Sequence, residues 1–162
     1  MTSIAGTLAF ASPALPQTDA FWEFVEGRKK AVSNAASNVI SAFRTAKSYH
    51  SAFVKEFLNA AEQFIGALER QLAGNVSLSI SGLASAYGAL KSIEKSVSNI
   101  LADPQAPPEL KAIARRIFSN LIRVMAKVVS VYEQLGGDPS KLPLLAKDFE
   151  PVPVIIPRDS KL

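Results

Sequence analysis

Side chains able to do chemistry are few in this chain, and none falls into a catalytic spacing. There is no Cys and a single His, which removes disulfide frameworks, thiolate zinc sites, cysteine nucleophiles and histidine-rich metal sites together. His50 falls at a helical core position beside Tyr49 and Lys47, where a polar residue more often fixes register than performs chemistry. The Lys-Ser pairs at Lys47, Lys91 and Lys95 lack the glycine-rich lead of a phosphate loop, and no Gly-x-Ser-x-Gly elbow or His-Glu-x-x-His pair is present. Among the acids, Glu56 and Glu69 stand too far apart for one site, and Glu62 has no His three residues on, so the di-iron bundle motif fails. The expectation is a non-enzymatic protein with no cofactor and no metal.

Cations do cluster. The formal charge is +4, and one C-terminal helical stretch carries Lys111, Arg115, Arg116, Arg123 and Lys127 against Glu109 and Glu133. Arg28, Lys29 and Lys30 form a second group. A solvated helix face is the plain reading of such a strip; phosphate contact is the alternative, and it would make the chain a nucleic-acid-binding structural protein such as a nucleoprotein or coat subunit.

The elements that would position these groups are helices. No proline occurs between Pro16 and Pro104, and across most of that stretch Val25, Val32, Val39, Ala46, Phe53, Ala60 and Ala67 repeat every seven residues. A second seam runs beside it through Trp22, Ala36, Phe43, His50, Phe57 and Phe64, interrupted at Lys29. Val25, Val32, Val39, Phe43, Phe53, Phe57 and Phe64 are therefore the expected assembly seam. Thr18 and Asp19 suit an N-cap, and Gly74 suits a stop. A continuous helix over 19–73 would be about 80 Å long at 1.5 Å per residue, more than a domain of this size covers by itself. The alternative is a break at Lys47-Ser-Tyr-His-Ser51, giving shorter helices and a self-contained four-helix bundle. The unchanged heptad phase and the lack of Gly or Pro there favour continuity.

Two further helices follow. The first, over 79–102, carries Leu83, Tyr87, Leu90, Ile93, Val97, Ile100 and Leu101 on one face and stops at Asp103-Pro104. The next, over 107–136, opens on Pro107-Pro108, where a missing N–H costs nothing. It has two apolar faces: Leu110, Ile113, Ala114, Ile117, Leu121, Val124, Val128, Val131 and Leu135 form one, and Phe118, Ile122, Met125, Val129 and Tyr132 the other. A helix so widely apolar is central in a bundle or covered by another subunit. The expected fold is all-α, a bundle of long antiparallel helices with extended arms at both ends.

At 162 residues and 48% hydrophobic content, one domain is sufficient. Residues 1–17 read as an uncharged arm, not a signal peptide, because the basic leader is missing. Residues 18–137 form the bundle, and 138–162 a proline-rich strap. Within the strap, Val152, Val154, Ile155 and Ile156 are apolar as well as extended, which fits docking in a groove of this subunit or a neighbour. Ser160-Lys161-Leu162 matches a peroxisomal address, meaningful in a eukaryote; an intracellular location is otherwise favoured. No stretch reaches the length of a transmembrane helix.

Beside the seam, Ser33, Asn34, Ala35, Ser37, Asn38, Ser41, Ala42 and Thr45 stand where a water-facing helix would show Glu and Lys. Small residues let helix axes approach. The leading expectation is thus a non-catalytic assembly subunit, partnered by copies of itself or by another helical protein. Nucleic-acid binding comes next, and a membrane-active amphipathic bundle, inserting its N-terminal arm, third.

Overall fold

A computed structural model of the chain describes residues 19–46, 51–74 and 77–156. The N-terminal arm, His50, Lys47 and the terminal Ser160-Lys161-Leu162 lie outside the described residues. Helices run over Ala20–Ala46 (α1), Ser51–Ala73 (α2), Ile80–Ala102 (α3) and Pro108–Gln134 (α4); a 3₁₀ turn, Pro139–Lys141, then leads into the short Leu142–Ala146 (α5).

Local chemistry sets the helix ends. Asp19 Oδ1 accepts the Trp22 N–H at 3.0 Å and caps α1. Ser79 caps α3 by accepting the Gly82 N–H at 3.2 Å. Pro108 opens α4, where its fixed φ is already helical. At the far end of α4, Gly136 takes φ +93°, the left-handed conformation that glycine adopts without a Cβ penalty. The Gly137 N–H then reaches Tyr132 O at 3.0 Å and the Gly136 N–H reaches Glu133 O at 2.9 Å, the paired bonds of a Schellman stop.

The four long helices occupy the corners of a square. α1 packs on α2 and α3, and α4 packs on α2 and α3, so α1 lies diagonal to α4 and α2 diagonal to α3. The starts of α1 and α3 lie together, with Asp19 bonded to Ser79 and Ser81, so these two helices are parallel. Ion pairs spaced every seven residues make α2 parallel to α4. With only 103–107 joining α3 to α4 those two run antiparallel, and α1 therefore opposes α2. The bundle is two helical hairpins laid side by side, like helix on like helix. Gly82 permits the α1–α3 approach: a Cβ there would stand 2.3 Å from the Phe21 ring.

Here the continuous helix over 19–73 is corrected. The two halves of the seam fold back on one another as α1 and α2 and bury their apolar residues within one chain. Heptad phase is a property of each helix separately and says nothing about the direction of the chain between them. No helix of about 80 Å then needs cover from another molecule; the longest are about 40 Å at 1.5 Å per residue.

The core is built from the seams. Val25, Val32, Val39 and Phe43 of α1, and Phe57, Phe64 and Leu68 of α2, meet Leu83, Leu90, Ile93, Val97 and Ile100 of α3 and Leu110, Ile117, Leu121, Val124 and Val128 of α4. Each fully buried side chain of this size contributes about 1.5–3 kcal/mol of apolar transfer energy. The seam position Phe53 is the exception and is 37% exposed. No helix among the described residues is long and apolar enough to cross a membrane.

The C-terminal segment is extended only in part. Pro139 and Pro143 sit in first turns, where proline is tolerated, so 139–146 coils into short helices instead of the expected extended chain. From 150 to 156 there is no regular structure, and this stretch docks along α3. Val152 and Ile155 are buried, the Ile155 N–H donates to Ser96 Oγ at 2.8 Å, and Asn99 Nδ2 donates to Ile155 O at 2.9 Å. The groove is in this subunit. Val154 is half-buried, and Ile156 is 70% exposed.

Candidate functional site

Four polar or apolar constellations stand out above the core. The first is buried. Lys29, read from the sequence as a seam interruption and a phosphate contact, is 4% exposed; its Nζ lies 2.9 Å from Glu26 Oε2 and donates to Ser85 Oγ at 2.8 Å. Ser85 Oγ in turn donates to Glu26. A serine beside a lysine is the composition of a nucleophile and base, but here Lys29 is the donor and Ser85 is fully buried, so no substrate carbonyl reaches Oγ. The trio instead holds α1 and α3 in register, and Lys29 is unavailable to any phosphate.

The second constellation ties the same helices at their starts. Asp19 accepts from Ser79 Oγ at 2.8 Å, from Ser81 Oγ at 2.6 Å and from the Trp22 N–H. Burial pushes its carboxyl up, but the bonds from Ser81, Trp22 and Ser79 together outweigh burial and hold it below the usual carboxylate range.

The third is a ladder between α2 and α4. Lys55 pairs with Glu109 at 2.8 Å, Glu62 receives the Arg116 fork at 3.1 Å on both oxygens, and Glu69 takes Arg123 and, at 2.7 Å, Lys127. The Lys127 hydrogen bond, with Arg123 beside it, lowers the Glu69 pKa against the opposing effect of desolvation. The rungs fall at 55, 62 and 69 on one helix and 109, 116 and 123 on the other, one heptad apart. Three of the five cations of the sequence-level strip are thus engaged by α2. Those left, Lys111 and Arg115, sit near the start of α4, while Arg28 and Lys30 sit on the diagonal helix α1 towards the other end of the bundle. Arg28 also lies over the Phe24 ring, 5.7 Å from its centroid. The two cation groups do not merge into one stripe.

The fourth is apolar. Of the second face of α4, Phe118, Ile122, Met125 and Val129 are only partly covered by the bundle, and Ile122 is 42% exposed, whereas Tyr132 is buried in the core. The four partly covered residues follow one another at spacings of four, three and four, which keeps them on a single stripe. Beside the stripe lie the exposed small residues Ser119, Ala126 and Ser130, and at its two ends the exposed Arg115 and Glu133. On α1, Asn34, Ser37, Asn38, Ser41 and Thr45 are exposed, while Ala35 and Ala42 turn inward. Of the expected assembly seam, Val25, Val32, Val39, Phe43, Phe57 and Phe64 are interior and Phe53 is exposed. A cleft of about 360 Å³ separates α3 from the C-terminal segment, with Tyr87, Lys91, Lys95, Lys147 and Phe149 among its walls.

Sequence reasoning marked the α4 face and most of the cations but missed Asp19 as a bridge, Ser85 and the ladder. The ladder had a signal: charges of opposite sign recur at seven-residue spacing in two segments a constant distance apart. Compared with protein-family models, with curated proteins and with solved structures, the chain has no significant match.

Proposed function

We propose that this protein is a non-catalytic helical subunit that works by protein–protein contact, presenting a surface on an already folded bundle instead of completing its core with a partner. The observation that carries this is the half-exposed stripe Phe118–Ile122–Met125–Val129 on α4. A water-facing helix in a self-contained bundle normally shows one apolar face, and α4 has a second. The outer face of α1 is a second low-charge surface, but its exposed residues, Asn34, Ser37, Asn38, Ser41 and Thr45, are small and polar.

The phosphate-contact alternative draws less support, because Lys29, Arg116, Arg123 and Lys127 are engaged by carboxylates and the remaining cations are dispersed. Sedimentation equilibrium of the full chain from about 5 to 200 μM tests the proposal, this being the range in which modest interfaces associate. Mass rising above the 17.3 kDa monomer with concentration is the expected result. A strict monomer throughout removes self-assembly.

A further inference from the structure

We infer that the partner of the α4 stripe is a second copy of the same stripe, packed antiparallel across a two-fold axis that passes level with residues 123 and 124. This rests on the self-association reading above and deepens it. The argument starts from spacing. The gaps of four, three and four between Phe118, Ile122, Met125 and Val129 read the same in both directions, so an antiparallel copy brings its own stripe to matching levels. Phe118 then meets Val129 of the second copy and Ile122 meets its Met125. Each apolar group fills against another, the condition a closed isologous interface demands.

Charge chooses the direction. Arg115 lies one turn before the stripe and Glu133 one turn after it; both are exposed, and neither makes an ion pair among the described residues. In an antiparallel pair each Arg115 comes level, to within about 1.5 Å along the axis, with the Glu133 of the other copy, so two opposite-charge contacts form. A parallel pair would set Arg115 on Arg115 and Glu133 on Glu133. Size permits the approach: Ser119, Ala126 and Ser130 flank the stripe on its outer side and leave room for the facing helix.

The test is a charge swap read by sedimentation equilibrium on the full chain. Both positions are exposed, so Arg115→Glu and Glu133→Arg leave the fold intact, which circular dichroism checks. Each single reversal places like charges together twice per dimer and weakens association by about tenfold or more; the double variant R115E/E133R restores it to within about threefold of the parent. If the parent associates but ignores the single reversals, or the double variant is no tighter than the singles, the antiparallel register is overturned while self-association stands. A parent that stays monomeric overturns both. Ile122→Glu supplies the apolar control: it dissolves an α4 dimer, and a dimer that survives it uses another face.

Discussion

Replacing Asp19 by Ala tests the account of how the two hairpins are held together. Its carboxylate caps α1 and also receives two serine hydroxyls from the start of α3. Loss of an N-cap costs about 1 kcal/mol. The hydroxyl bonds go to a charged group that is only half-buried, so each adds about 1 kcal/mol, the low side of the range for charge-assisted bonds. The sum is about 3 kcal/mol at pH 7, equivalent to a fall in Tm of about 6–12 °C for a chain of this size. The pH dependence carries a sign. Because hydrogen bonding holds the folded pKa below the ordinary Asp value of about 3.9, the charge-dependent part of the stability Asp19 contributes is fully present above that value and lost as pH falls through the lower folded pKa. Urea melts followed at 222 nm will therefore show the full gap between parent and Asp19→Ala at pH 7 and a gap that narrows below about pH 4. Asp19→Asn, which keeps a capping oxygen without the charge, will fall between the two and vary little with pH from this site. A deficit under about 0.5 kcal/mol at pH 7, the scatter of ordinary surface substitutions, or a gap unchanged at pH 3, would refute the bridging role.

Four further outcomes follow from the geometry. Phe64→Ala, at a fully buried seam position, will cost about 3–5 kcal/mol in urea melts, against under 1 kcal/mol if the seam were exposed in the isolated chain. Arg116→Ala, on a half-exposed rung of the ladder, will cost under about 1 kcal/mol, and less still in 0.5 M salt. Lys29→Ala will cost about 2 kcal/mol or more, because it strips buried Ser85 of its donor and part-buried Glu26 of its ion-pair partner; equal losses at Lys29 and Arg116 would contradict the burial difference. Ile155→Ala will raise hydrogen exchange at the Ile155 amide by about tenfold or more while leaving α2 amides unchanged, since only local opening of the strap exposes that N–H.

Most of the helical architecture could be read in the residues, because its causes are local. Pro104 stops α3, Pro108 starts α4, Asp19 caps α1, and the seven-residue seams together with the apolar faces of α3 and α4 name most of the core, although Phe21, Val54, Leu58, Ala61, Ile65 and Leu68 fall outside them. What escaped was non-local. The return between α1 and α2 leaves heptad phase untouched, and without a Gly or Pro the chain carried no punctuation there. Lys29 looked like a seam fault and a free cation; only the parallel approach of α3 brings Ser85 beside it and turns both into a buried pair with Glu26. Likewise Glu62 and Glu69 looked like isolated acids until α4 was seen to run beside α2 in heptad register. The second face of α4 was legible as apolar, but its meaning depends on the square arrangement, which leaves that face half uncovered.

The claim beneath all of this is that the seam closes on itself inside one chain. Double electron–electron resonance between spin labels at Arg28→Cys and Arg70→Cys measures it directly, because the chain has no Cys of its own and both positions are exposed. Dilution with unlabelled chain restricts the signal to pairs within one molecule. The hairpin places the two sites level on neighbouring helices whose axes are about 8–10 Å apart, giving a distance of about 15–25 Å once the labels' reach is included. A distance near 60 Å, the length of the same stretch as one unbroken helix at about 1.5 Å per residue, would contradict the account.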